Sequence, residues 1–148
     1  MSHRVDHIDF NVLKGKVLVA VEKYSYSNGR DYLVFKTLDG GIYLIAHPQE
    51  CCEEVNIDDI CGDFVDLLNE EILVAEERIS DVTEEDRRTD DSCTWTFYHL
   101  ATLSGDVTIR WFGASNGYYS ERARLYKVKN WEYFLVKNGM GDELYLQF

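Results

Sequence analysis

The chain has one proline, Pro48, and ten glycines among 148 residues, too few for a collagen-like, linker-rich or low-complexity protein. Positive charge is also scarce. Fifteen Lys and Arg stand against 27 Asp and Glu, giving a net charge of −12 and a pI near 4.6. Phosphate binding is driven by cationic side chains that release counterions, so no direct nucleic-acid partner and no anionic membrane is expected. No apolar run reaches the length of a membrane-spanning helix, and the polar stretch 1–11, with His3, Arg4, Asp6, His7 and Asp9, lacks the apolar centre of a signal peptide. The four cysteines are therefore expected as thiols in a reducing cytoplasm, not as a disulfide framework. Catalytic signatures are missing too. There is no C-x-x-C knuckle, no H-E-x-x-H helix and no calcium loop of the EF-hand type, so the chain reads as a non-enzymatic protein without a cofactor.

What is present is apolar and aromatic. At 45% hydrophobic and 14% aromatic residues, the chain can bury a real core, and its length suits a single domain over 1–148. Lys16–Ser25, with Val17, Val19 and Val21 on one face, reads as a strand, and Asn28-Gly29 as the tight turn that follows it. Tyr32–Leu38 and Ile42–His47, joined through Asp39-Gly40-Gly41, complete a three-stranded antiparallel meander. After Pro48 the acidic segment reads as two short helix-like patches. The second is N-capped by Asp63 and sets Phe64, Leu67 and Leu68 on one face, suited to sealing a side of the sheet. Ile72–Ile79 reads as another strand, and 81–92 as a mobile acidic loop. Thr94–Leu103 and Asp106–Gly113, around Ser104-Gly105, give the strongest hairpin signal. Asn116-Gly117 marks a turn and Glu121–Val128 a strand, with Trp131–Val136 and Glu143–Phe148 as closing strands in a C-terminal extension, 129–148. The expected fold class is α+β: one β-rich domain, a mostly antiparallel sheet of hairpins with one or two short helices packed on it.

With Ser104-Gly105 as a two-residue loop, Leu103 faces Asp106, Tyr98 faces Trp111 and His99 faces Arg110. One hairpin face then carries Tyr98, Leu100, Val107, Ile109 and Trp111, a core composition. The other carries Trp95, Phe97, His99, Thr108, Arg110 and Phe112. Aromatic faces stack planar bases, while Arg, Asn and Ser donate to phosphates. Trp95, Phe97, His99, Arg110 and Phe112, with Asn116, Tyr118, Tyr119, Ser120 and Arg122 in the adjoining loop, therefore form a candidate site for a small nucleotide-like ligand. The plainer alternative packs these rings under the helical patch and salt-bridges Arg110 to an acid of the middle segment.

That middle segment is the second distinctive feature. Seventeen of the 27 acidic residues lie between Glu50 and Asp91 against only Arg78, Arg87 and Arg88, so the segment carries −14 and the rest of the chain +2. A charge run of this kind is usually a solvated face, but Asp58, Asp59, Asp63, Asp66, Glu70 and Glu71 also suit a surface that imitates a DNA backbone and docks on a basic protein. His47, Cys51, Cys52 and Cys61 have the chemistry of zinc ligands. Against a structural zinc, adjacent cysteines rarely share one ion and a buried thiol is an ordinary core residue.

Five stretches, HPQECCEEV from His47, DICGD from Asp59, ILVAEE from Ile72, TWTFY from Thr94 and VTIRWFGASNGYYSE from Val107, together resemble a family of small proteins of uncharacterised function encoded by tailed bacteriophages and prophages. The resemblance covers roughly Val12 to Val128. It implies an accessory protein acting in the cytoplasm of an infected bacterium and transfers no catalytic residue. Joined to the aromatic face, it gives the expectation of a protein that counters host defence by binding and sequestering a nucleotide-like signalling molecule. The acidic segment gives the alternative, an inhibitor of a basic host protein such as a nuclease, a CRISPR complex or a regulator. A homo-oligomer using the C-terminal extension, and a small virion component, stay open.

Overall fold

The computed structural model describes residues 7–25, 30–48, 52–81 and 92–129. Outside them lie residues 1–6, the Asn28-Gly29 turn, Cys51, all but the ends of the expected 81–92 loop, and residues 130–148 of the C-terminal extension with its two expected strands. Eight strands are described: β1 (Leu18–Ser25), β2 (Asp31–Thr37), β3 (Ile42–Ala46), β4 (Glu54–Cys61), β5 (Val74–Asp81), β6 (Ser92–Thr102), β7 (Gly105–Ser115) and β8 (Arg124–Val128). They make two four-stranded antiparallel sheets, ordered β1-β2-β3-β8 and β4-β7-β6-β5. The first contains the expected meander, while in the second β4 returns beside β7 in a Greek-key arrangement.

The α+β expectation is overturned. Among the described residues the helical pieces are two single 3-10 turns, Phe10–Leu13 and Phe64–Leu67, and the two sheets pack as a β-sandwich-like domain. The first helix-like patch is strand β4. Its Val55 and Ile57 alternate as strand residues should, but a bulge between Ile57 and Asp59 moves the next core-facing residue to Ile60. A gap of three in place of two resembles helical spacing when read along the sequence. In the second patch Asp63 does cap, accepting from the Val65 amide at 3.0 Å. The turn then stops after one cycle. Asn69 takes a positive φ of 62°, and its amide donates to the Leu18 carbonyl at 2.8 Å, which diverts the chain onto the start of β1.

The core lies between the sheets. Leu33, Phe35, Tyr43, Ile45 and Leu125 from the first meet Val55, Tyr98, Leu100, Val107, Ile109 and Trp111 from the second. Each such large side chain contributes about 1.5–3 kcal/mol on burial. The first sheet is buried on its other face as well, through Tyr32, Val34, Leu44 and Ala46. Double burial explains why β2 and β3 read as continuous apolar runs and not as alternating patterns.

The β6–β7 hairpin departs from the expected register in an instructive way. Tyr98 faces Ile109, His99 faces Thr108 and Thr102 faces Gly105, so the turn is Leu103-Ser104. The pairing is displaced by two residues from the expected one. Because side chains alternate with period two, a displacement of two returns every residue to its expected face. Tyr98, Leu100, Val107, Ile109 and Trp111 are accordingly buried in the core.

From β7 to β8 the chain crosses the core side of the second sheet. The Glu121 carbonyl oxygen would sit 1.9 Å from a Cβ on Gly113, and the Tyr98 hydroxyl donates to the Ala123 carbonyl at 2.7 Å. Only a glycine permits that approach. At the same end His47, just after β3, places Nδ1 2.9 Å from the Arg122 carbonyl and Nε2 3.0 Å from Glu53, just before β4. Both side chains are almost fully buried, so this pair ties the two crossovers between the sheets together.

Candidate functional site

The pairing of β4 to β7 turns three ordered rows of side chains to the outer face of the second sheet. They run Ser80, Trp95, Phe112, Asn56; then Arg78, Phe97, Arg110, Asp59; then Glu76, His99, Thr108, Cys61. Trp95 and Phe112 are cross-strand partners with ring centroids 4.7 Å apart and planes tilted by 59°, a favourable aromatic arrangement. The Arg110 guanidinium lies 5.0 Å from the Trp95 ring centroid, a cation–π distance.

The bulge in β4 then fixes what Arg110 can do. By adding a residue it brings two consecutive acids, Asp58 and Asp59, beside one arginine. Arg110 Nε and Nη2 both donate to Asp58 Oδ2, at 2.9 and 2.6 Å. The Arg110 side chain is 40% exposed and that of Asp58 only 12%, so the cation is reachable from solvent but already paired. The plainer sequence alternative thus holds for its salt bridge. It does not hold for its cover, because Trp95, Phe97 and Phe112 are half-buried and the expected helix over them is the 3-10 turn at the far end of the hairpin.

Beside Phe97 the face opens into a cavity of about 260 Å³ lined by Glu76, Arg78, Phe97, His99 and Thr108. His99 Nε2 lies 3.0 Å from Asp106, which orients the ring. Arg78 is exposed, and among the described residues its guanidinium forms no ion pair. Arg78 and Glu76 were not among the sequence candidates. In the sequence they are two more charges in an acidic segment; only the pairing of β5 with β6 sets them opposite Phe97 and His99.

The adjoining loop divides from this face. Asn116 and Tyr118 are exposed, with the Tyr118 amide donating to Asn116 Oδ1 at 3.0 Å. Tyr118 packs edge-on against Tyr119, and the Ser120 hydroxyl accepts from the Arg122 amide at 3.4 Å. The Arg122 guanidinium pairs with Glu77, which sits opposite Tyr98 and so faces the core side. The sheet therefore lies between Arg122 and the rings of Trp95 and Phe97.

The acidic candidates also scatter. Asp58 and Asp59 belong to the outer face, whereas Asp63 caps the 3-10 turn and the Asp66 side chain packs against Gly105 at the hairpin tip. Glu71 forms a bridge with Val17, and Glu70 lies beside it in the connection from β4 to β5. Nor do the three described zinc candidates, His47, Cys52 and Cys61, converge. Both ring nitrogens of His47 are engaged, and Cys61 stands at the far end of β4, roughly 25 Å of strand away from Cys52. Cys51 lies outside the described residues. Cys52 is disulfide-bonded, which corrects the expectation of a thiol at that position. Cys61 and Cys93 are not disulfide-bonded. Asp59 accepts a hydrogen bond from the exposed Cys61 thiol at 3.2 Å and its negative charge raises the thiol pKa. Among the described residues no three His, Cys, Asp or Glu side chains are grouped to hold a metal ion. No described helix is long and apolar enough to cross a membrane.

Fold and face together define a β-sandwich-like domain with an open aromatic and charged sheet surface. The chain belongs to the family described as a domain of unknown function (DUF7448), whose model matches residues 11–125. No curated protein and no solved structure matches it.

Proposed function

We propose that this chain is a non-enzymatic binding protein that captures a small nucleotide-like molecule on the outer face of its second sheet. The observation that carries the reading is the cavity beside Phe97, where a ring, a guanidinium without an ion pair among the described residues, a hydroxyl and an imidazole converge. Planar ligands gain from stacking on such a ring, and an exposed arginine fork recognises a phosphate. Binding is favoured over catalysis because the thiol on this face, Cys61, is held towards its protonated form by Asp59, the wrong direction for a nucleophile. In the setting that the sequence resemblance implies, a bacterium infected by a phage, such capture serves to withdraw a nucleotide signal of host defence. Thermal-shift and calorimetric titration of the purified protein with mononucleotides and cyclic nucleotides tests the reading. Saturable binding that is lost in Phe97→Ala and weakened in Arg78→Ala is expected, and the absence of any binding at millimolar ligand rejects it.

A second reading rests on the bulge acids. Asp59 is exposed on the same face as the rings, beside the Asp58–Arg110 pair, a combination suited to a basic protein partner whose arginines stack on tryptophan and pair with a carboxylate. Such a complex weakens steeply as ionic strength rises. Retention of a host protein on immobilised chain at low salt, lost at high salt and lost in Asp58→Asn/Asp59→Asn, would favour this reading over nucleotide capture.

A further inference from the structure

We propose that the base held beside Phe97 is guanine, read by Glu76, with a single phosphate taken by Arg78. This rests on the nucleotide-binding reading above and specifies its ligand. Glu76 and Arg78 are alternate residues of β5, so both point to the outer face, roughly 7 Å apart along the strand. Glu76 stands opposite His99 and Arg78 opposite Phe97, while Thr108 closes the cavity from β7.

An ionised carboxylate has two acceptor oxygens side by side and no donor. Guanine matches it, because its N1–H and exocyclic amino group are adjacent donors and can form two charge-assisted hydrogen bonds at once. Adenine sets the N1 lone pair where a donor is needed, and cytosine does the same with N3. Uracil offers one N–H between two carbonyl oxygens. Each of these opposes lone pairs to the carboxylate, the mismatch that hydrogen-bonding sites reject most strongly. Guanine O6 accepts, and the Thr108 hydroxyl can donate to it.

Charge and volume set the rest of the ligand. Arg110 is held by Asp58 and Arg122 by Glu77, which leaves Arg78 as the unpaired cation lining the cavity among the described residues. One free guanidinium suits one phosphate group. Asp58, Asp59 and Asp106 on the same face repel additional negative charge. The cavity, at about 260 Å³, falls below the roughly 300 Å³ at which sites for drug-sized ligands begin. A mononucleotide is therefore favoured over a dinucleotide or a triphosphate.

Isothermal titration of the full chain with GMP, AMP, CMP, UMP, guanosine and GTP at one fixed salt concentration tests the proposal. GMP should bind at least about tenfold tighter than AMP, CMP or UMP, and GTP no tighter than GMP. Glu76→Gln, which replaces one acceptor by a donor, should erase the preference for guanine. Arg78→Ala should reduce GMP to the affinity of guanosine. Both residues are exposed on an edge strand, and unchanged melting temperatures confirm that the variants fold. Equal binding of all four monophosphates, or a preference for AMP, overturns the guanine assignment while leaving the nucleotide site standing. No binding of any of them overturns both.

Discussion

Two residues show how single atoms decide stability here. Thr96 is fully buried opposite Trp111, and its Oγ1 has no hydrogen-bond partner. A buried hydroxyl without a partner costs about 1–3 kcal/mol, so Thr96→Val, which keeps the shape and removes the hydroxyl, should raise the stability measured by urea unfolding by about 1 kcal/mol. Asp39 illustrates the opposite case. Its carboxylate accepts from the Thr37 hydroxyl, from the Gly41 amide at 3.2 Å and from Lys16 at 3.3 Å, and these hydrogen bonds, Thr37 first, lower its pKa to about 2 from an ordinary 3.8. A depressed carboxylate stabilises the fold above the unfolded value and loses that contribution as pH falls through the folded one. Asp39→Asn should therefore flatten the acid limb of the stability curve between pH 4 and about 2, and carboxyl chemical shifts should locate the midpoint. An Asp39 midpoint near 4 by NMR would contradict the turn geometry. At this scale the ring set Trp95, Phe97 and Phe112 was legible from strand alternation. Arg78 was not, because its neighbour across the sheet, Phe97, is nineteen positions away along the chain.

Among the elements, the hairpin of β6 and β7 and the crossover after it matter most. Two eleven-residue strands announce themselves by period-two alternation, and an even displacement of register left their faces intact. An odd one would have put Trp111 outside and Arg110 in the core. The crossover left no such signature. Gly113 in the sequence is one small residue in a strand, yet the Glu121 carbonyl passes against it. Gly113→Ala should cost several kcal/mol, in the manner of an overpacked core, because backbone and not a flexible side chain must yield. Denaturant midpoints check this, with Gly117→Ala as a reference in which the positive φ of 92° is strained but no atom is met by the added Cβ. The same crossover explains why Arg122 parted from the rings that neighbour it in the sequence. β4 was hidden for a different reason: a bulge removed the alternation by which strands are recognised, and the same bulge brings in Asp58, the acid that holds Arg110.

For the molecule as a whole, the two sheets are joined by their core and by buried polar ties, of which His47 with Glu53 is the ionisable one described at the crossovers. Because a carbonyl only accepts, His47 Nδ1 must carry a proton towards Arg122, leaving Nε2 to share one with Glu53. His47→Ala leaves a buried carboxylate without its imidazole, and such losses cost about 3–5 kcal/mol. The double variant His47→Ala/Glu53→Ala should lose less than the sum of the two single variants, measured as a double-mutant cycle of unfolding free energies. Strict additivity would show that the pair does not act as one unit.

The sequence by itself determined the β-rich character, the meander, the two faces of the long hairpin and the excess of negative charge, because each of these is written in local alternation, turn chemistry or composition. Only the tertiary structure decided that the acidic segment is a bulged strand, that the rings share their face with Arg78 and Glu76, and that Arg122 belongs to the other side. Those facts depend on which strands become neighbours, and neighbours across a sheet are chosen by burial of distant side chains against one another, not by anything a short stretch of chain contains.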